Sequence, residues 1–486
     1  MDKTKIKEDL YEAVNGEWIE KATIPADKPA TGGFQDLVDG IDDLLITDTK
    51  KMRENPSLIP NDLMKEYIAY FNLANDYQKR DQDGAVPMLP LLRQVEALKD
   101  LNDLAEQLPN WVLDGLPLPF GVDVDADMKN TKINALFAGA PSLILPDKTY
   151  YEADHPQAPQ LLAIFKEMTL KLFDLAGYDA AAAEKITDEA LQYDKLLAPH
   201  VKSAEENADY SKMYNPESGE KFIQHSQHLD LKNLLIGLIG EVPEKVIVTE
   251  PAFFEKLDEL VNPKAFQQMK SWMLVMTLNA LTAYLSEEFR QVGGIYSRAL
   301  SGAPEARPQE KAAFYLASGR FDQIIGDYYG KKYFGEQAKR DVEQMVQRMV
   351  GIYQDRLSSN TWLSEATREK AIVKLNTLGI HVGYPEKIPA IYTHFKVTTA
   401  EEGGTLLSNA LHFSHLKRKE DFKKWNQPVE RDEWEMSADT VNAYYHPFRN
   451  IIVFPAAILQ APFYSLKQSS SCLLYTSPSP RDRSLS

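Results

Sequence analysis

Apolar residues recur every three or four positions along most of this chain, and that spacing predicts helices. Between residues 336 and 357, Val342, Met345, Val346, Met349, Tyr353 and Leu357 fall on one face. Lys339, Arg340, Glu343, Gln347 and Asp355 fall on the other. The methionines read as flexible core filler rather than as ligands. Ser364 is a good N-cap for a further helix to about Leu378, where Gly379 supplies a plausible stop. The same period covers 61–79, 160–176, 180–197, 266–285 and 309–329.

Strand patterns are few. Val122 and Val124 alternate with Asp123 and Asp125, and residues 133–137 alternate again after a Lys-Asn-Thr turn. That pair predicts a hairpin. Near the end, 440–445 and 450–454 flank His446-Pro447-Phe448-Arg449, a second hairpin with Pro447 suited to the turn. No repeat of fixed period is present.

Composition narrows the class. The 486 residues are 44% hydrophobic and 26% charged, so a large core is affordable and wholesale disorder is excluded. Lys and Arg total 54 against 71 Asp and Glu, a net charge of −17, which disfavours nucleic acid as a partner. No window reaches the ~18 consecutive apolar residues of a membrane span, and the first residues, MDKTKIKEDLYEAVNGEW, hold no apolar signal core. The single cysteine, Cys472, excludes an intramolecular disulfide and points to a reducing, cytoplasmic setting.

Catalytic signatures are missing. The chain contains no phosphate-binding glycine loop, no G-x-S-x-G and no H-E-x-x-H. His225/His228 and His412/His415 are each spaced to share a helical face and offer two metal ligands. A catalytic zinc needs a third ligand, and nothing adjacent provides one; surface or capping histidines are the plainer reading. Asp39-Gly40-Ile41-Asp42-Asp43 does not fit a calcium loop and reads as a solvated acidic face. Cys472 lies in a Ser/Pro/Arg-rich end with no packed surroundings to activate it.

The run from Val441-Asn442-Ala443-Tyr444-Tyr445-His446-Pro447 through Asn450-Ile451-Ile452-Val453-Phe454-Pro455 to Tyr464 resembles the neprilysin family of zinc metallopeptidases. DLYEAVNGEWIEKATIPADKPATGGF, LPDKTYY at 145–151 and three stretches between Tyr328 and Pro385 agree, so the resemblance covers about residues 8–471. It implies a mainly α fold of two helical lobes with few β-hairpins: a thermolysin-like catalytic lobe, incomplete here, and a capping lobe that restricts entry to short peptides. By resemblance, residues 8–390 form the helical N-terminal region, 391–439 a helical connection and 440–471 the start of the catalytic domain. Residues 472–486 read as a disordered or non-native tail. The lack of disulfides and of an anchor resembles the bacterial cytosolic branch of the family.

The resemblance also assigns roles. Asn442 and Ala443 occupy the family's N-A-[YF] motif, on a strand that holds the substrate main chain. The family's zinc is held by H-E-x-x-H and a later glutamate, and this sequence departs from the pattern before that motif. The expectation is therefore zinc in the full-length parent and none in this chain, which is expected to be inactive. Truncation there is expected to leave 451–454 with an uncovered face or edge. Two alternatives remain: a non-catalytic helical peptide-binding or scaffold protein, and a metal-storage protein using the two histidine pairs.

Overall fold

The computed structural model describes residues 4–468. Its helices organise two large apolar cores. In the first, the helix Ala180–Leu197 packs along Phe266–Leu281, around Tyr193, Phe173 and Trp272. In the second, Gly33–Glu54 and Asp62–Asn75 pack with Gln309–Arg320 around Tyr67, Phe71 and Phe321. The helix Leu406–Lys423 joins the two: Leu406, Ala410 and Phe413 enter the second core, while Leu407 and Phe422 enter the first. No helix among the described residues is long and apolar enough to cross a membrane.

The expected helices form, with breaks that periodicity alone does not mark. The stretch 61–79 divides at Asp76, which ends one helix and caps the next by accepting from the Lys79 N–H at 3.0 Å. The stretch 309–329 divides at the fully buried Phe321. The helix from Phe266 ends at Leu281 and tightens into a 3-10 turn, Thr282–Tyr284. In Gly335–Ser358, Val342 and Val346 are buried as expected, but Tyr353 is 60% exposed. The distal part of that helix lies beside Glu365–Asn376, tied by Gln354 to Asn376 at 2.7 Å, and not over a core.

Three expectations are corrected. Lys339 is buried rather than solvated; its ammonium donates to Tyr384 O at 3.1 Å, pairs with Glu386 and stands over the Tyr384 ring. Asp42 is buried, not part of a solvated acidic face, and so is Asp48 farther along the same helix. Tyr315 and Lys311 bond to Asp42, though burial still pushes its carboxyl up, while Tyr328, Lys332 and Tyr333 bond to Asp48 and hold its carboxyl below the usual range. Gly379 does not stop a helix. The helix ends at Asn376, and Gly379 opens a strand because a side chain there would strike Ile451.

Two small sheets complete the fold. β1 (Gly121–Ala126) and β2 (Asn134–Gly139) form the expected hairpin, joined by β3 (Pro216–Glu217) and β4 (Val246–Val248) in the order β1-β2-β4-β3. The second sheet has the order β5-β7-β6, with β5 (Gly379–Gly383), β6 (Tyr444–His446) and β7 (Ile451–Pro455). β7 runs parallel to β5 and antiparallel to β6. This overturns the expected uncovered strand: β7 is central, with Ile451 and Val453 fully buried and both edges paired. The calls on Cys472 and on 472–486 lie outside the described residues.

Candidate functional site

β6 is an edge strand, and the parity of its hydrogen bonds is fixed by its neighbours. The Gly379 N–H donates to Asn450 O at 2.9 Å, so even-numbered residues of β7 face β5 and Ile451 and Val453 face β6. Their partners His446 and Tyr444 spend their main-chain groups on β7. The N–H and C=O of Tyr445 therefore point outward, and the same parity points the Ala443 N–H outward. Ala443 precedes the strand, which begins at Tyr444 rather than at residue 440. Its N–H donates to Asn442 Oδ1 at 2.8 Å. Asn442 and Ala443 are thus adjacent at the mouth of an open strand edge, both half-buried.

The surroundings hold this edge in place. Tyr444 Oη accepts from the Glu435 N–H at 2.9 Å, and the Tyr444 ring packs with Trp434, Ile451 and Val453. The Arg449 N–H donates to His446 Nδ1 at 3.2 Å, which leaves the proton on Nε2 to be shared with Glu435 at 3.1 Å. That bond holds the Glu435 carboxyl below its usual range. Upstream, the Ala457 N–H donates to Ala438 O at 2.9 Å, and Ser437 Oγ donates to Asp439. Burial pushes the Asp439 carboxyl up to about 6. Gly326 permits this approach, since a Cβ there would lie 2.6 Å from Ala438 N. None of Glu435, Asp439 or Gly326 was visible in the sequence as a supporting residue. Each acts on a partner far along the chain or through a turn, where no period marks it.

The histidine pairs do not form metal sites. His225 and His228 lie beyond the helix Gly219–Ile223, and His225 Nε2 is 2.6 Å from Glu217 Oε1. His412 and His415 do share the helix Leu406–Lys423, but His415 Nδ1 is 2.7 Å from Asp114 Oδ1. Among the described residues no three His, Cys, Asp or Glu side chains gather around one point. The side chains of the described residues do not fit a catalytic zinc.

An open strand edge with an Asn-Ala pair at its mouth is a geometry to which an extended peptide could add. Residues 6–385 match one model of peptidase family M13, and residues 442–474 match another. The chain belongs to peptidase family M13, the neprilysin family of zinc metallopeptidases. It is 42% identical over 471 residues to the neutral endopeptidase of Lactococcus lactis subsp. lactis, covering 96% of this chain and 74% of the relative. It is 39% identical over 468 residues to a putative zinc metalloproteinase of Streptococcus gordonii, covering 96% of this chain and 82% of that protein. The crystal structure of PEPO from Lactobacillus rhamnosis superposes with a TM-score of 0.91 at 34% identity, covering 97% of this chain and 74% of that one.

Proposed function

We propose that the chain carries the peptide-holding part of a zinc-dependent endopeptidase that hydrolyses short peptides. We further propose that these 486 residues on their own bind no catalytic zinc and cleave no peptide. The observation that carries the reading is the outward Ala443 N–H, held by the side chain of its own neighbour Asn442. An extended peptide lying along β6 offers a carbonyl to that N–H, which releases the Asn442 amide to donate to and accept from the peptide main chain. Ala443 adds only a methyl group, so the peptide can approach closely. Tyr445 supplies the next outward N–H and C=O.

The inactivity rests on the chemistry of the residues present. Of the nine histidines, His225, His415 and His446 pair with Glu217, Asp114 and Glu435, and among the described residues no third potential ligand joins any such pair as a zinc site requires. The competing reading is a non-catalytic binding or scaffold module. It shares the β6 edge and differs only over whether zinc chemistry belongs to the whole protein. A cytoplasmic location follows from the same reading, supported by the single cysteine.

Two measurements test this. Incubating the chain with zinc and a short quenched-fluorescent peptide should give no chelator-sensitive cleavage; any such cleavage would refute the inactivity. Asn442→Ala should weaken peptide binding about tenfold, the value of one or two main-chain hydrogen bonds. Unchanged affinity would remove Asn442 from the site.

A further inference from the structure

The two faces of the sheet differ in charge at the open edge of β6. Tyr444 and His446 share one face, where Tyr444 packs with Trp434, Ile451 and Val453, and His446 pairs with Glu435. Tyr445, opposite Ile452, lies on the other face. Its ring is 41% exposed, and its hydroxyl donates to Asn450 Oδ1 at 3.1 Å. The Asn450 amide donates in turn to Lys374 O at 2.9 Å and to Thr377 Oγ1 at 3.1 Å. These bonds dock the last turn of the helix Glu365–Asn376 beside the ring, with Lys374 Nζ 5.3 Å from the ring centre.

That ammonium has no carboxylate. Lys374 is exposed, and among the described residues the Tyr445 ring is the only group its charge meets. Its own helix supplies no acid one turn away: Lys370 and Ala371 lie before it, Thr377 and Leu378 after it. Lys370 is likewise exposed and adds a second cation. The acids nearest in sequence to β6 belong to the opposite face. Glu435 is held by His446 and Arg449, and Asp432 acts on His381, which pairs with Val453 and shares its face. Arg431, at the end of the sheet, donates to the carbonyls of Thr377, Arg449 and Asn450 and to no carboxylate. The Tyr445 face thus holds positive charge that nothing in its surroundings has neutralised.

We propose that Lys374 selects an acidic side chain, glutamate above all, at the peptide residue that pairs with Tyr445. A peptide lying antiparallel along β6 exchanges both main-chain bonds of Tyr445 with one residue. The side chain of that residue stands on the Tyr445 face, its Cβ about 5 Å from the tyrosine Cβ. The methylenes of a glutamate pack on the exposed ring, and its carboxylate meets the ammonium, which gives up an exposed cation–π contact for an ion pair. Asn442 and Ala443 address the main chain and are indifferent to side chains, so Lys374 adds selection where they add affinity. The inference rests on the function proposed above, because it needs a peptide on β6.

The test uses the full 486-residue chain and two fluorescein-labelled six-residue peptides at about 0.15 M salt, where long-range charge effects are largely screened. One alternates valine and glutamine; in the other a central glutamine is replaced by glutamate. The unmodified chain should bind the glutamate peptide about three- to fivefold more tightly in fluorescence anisotropy, the scale of an exposed ion pair. Lys374→Glu should reverse that preference. Lys232→Glu makes the same change of net charge on the helix Leu231–Ile239 of the first core and should retain it. Carbodiimide treatment of the unmodified chain with the glutamate peptide should join the glutamate carboxyl to Lys374 as an amide, located by mass spectrometry, a readout that needs no variant. Equal binding of the two peptides overturns the inference and leaves the β6 reading standing. So does a preference that survives Lys374→Glu, a preference that Lys232→Glu abolishes equally, or cross-links that avoid Lys374. Asn442→Ala should weaken both peptides alike, and no binding of either peptide by the unmodified chain overturns both readings.

Discussion

Asp194 shows how much of this fold hangs on single buried groups. Its carboxylate is completely buried and accepts from Tyr151 Oη, from Trp272 Nε1 at 3.0 Å and from the Ile144 N–H at 3.1 Å. Desolvation outweighs these bonds and pushes the carboxyl up to about 6 from an ordinary 3.8. The folded state therefore holds this proton more tightly than the unfolded chain does. The stability it confers is fully present below about pH 4 and is lost as the pH rises through about 6. The span corresponds to about 3 kcal/mol. Asp194→Asn has no such titration. In urea denaturation from about pH 4 to pH 7, the variant should gain about that much on the parent; parallel pH profiles would count against the assignment. The sequence makes LPDKTYY a landmark by resemblance but conceals its physical purpose. Tyr151 closes onto an aspartate 43 residues later, and only folding brings the two together.

At the scale of elements, both hairpins were legible because alternation and turn residues are local signals. Their neighbours were not. β5 pairs in parallel with β7 across some seventy residues, and β5 is a five-residue run, GIHVG, with no pattern to announce it. Buried Lys339 was misread for a related reason: helical period gives a face, but the partners that make burial tolerable, Tyr384 and Glu386, come from another segment. The same dependence governs the approach to Asn442. Gly326 sits on the helix Asp322–Tyr329 with the backbone of Ala438 and the Ser437 side chain against it. Gly326→Ala forces a backbone segment to move, since the contact is with a main-chain nitrogen and not with a flexible side chain. The expected cost is about 1–3 kcal/mol in chemical denaturation. Peptide affinity should fall with it, because the displaced turn leads directly into β6. Unchanged stability and unchanged affinity together would show that the turn absorbs the methyl group.

The molecule as a whole is coupled through one helix. Leu406–Lys423 places Phe413 in the second core, stacked on Phe395 at 4.5 Å and edge-on to Phe321, while Leu407 and Phe422 enter the first. Arg320 reaches Ser414 from one side at 2.8 Å, and Asp114 reaches His415 from the other at 2.7 Å. Beyond the helix, residues 426–429 add to the turn end of the β1–β2 hairpin: the Asn134 N–H donates to Gln427 O and the Asn426 N–H to Asn134 O, each at 3.0 Å. Neither core can unfold without stripping the partner of one face of this helix, so the two should melt together. The sequence did not show this. The apolar positions of 406–423 are interleaved between two destinations, which blurs the single stripe that periodicity detects, and the pair His412/His415 drew attention to metal instead. Phe413→Ala removes a fully buried ring from one core only, at an expected cost of about 3–5 kcal/mol. Scanning calorimetry should nevertheless show one endotherm moved to lower temperature, with tryptophans of the other core, Trp111 and Trp272, reporting the same midpoint. Two separate transitions, with those tryptophans unaffected, would show that the lobes fold independently and that the shared helix is a tether rather than a common wall.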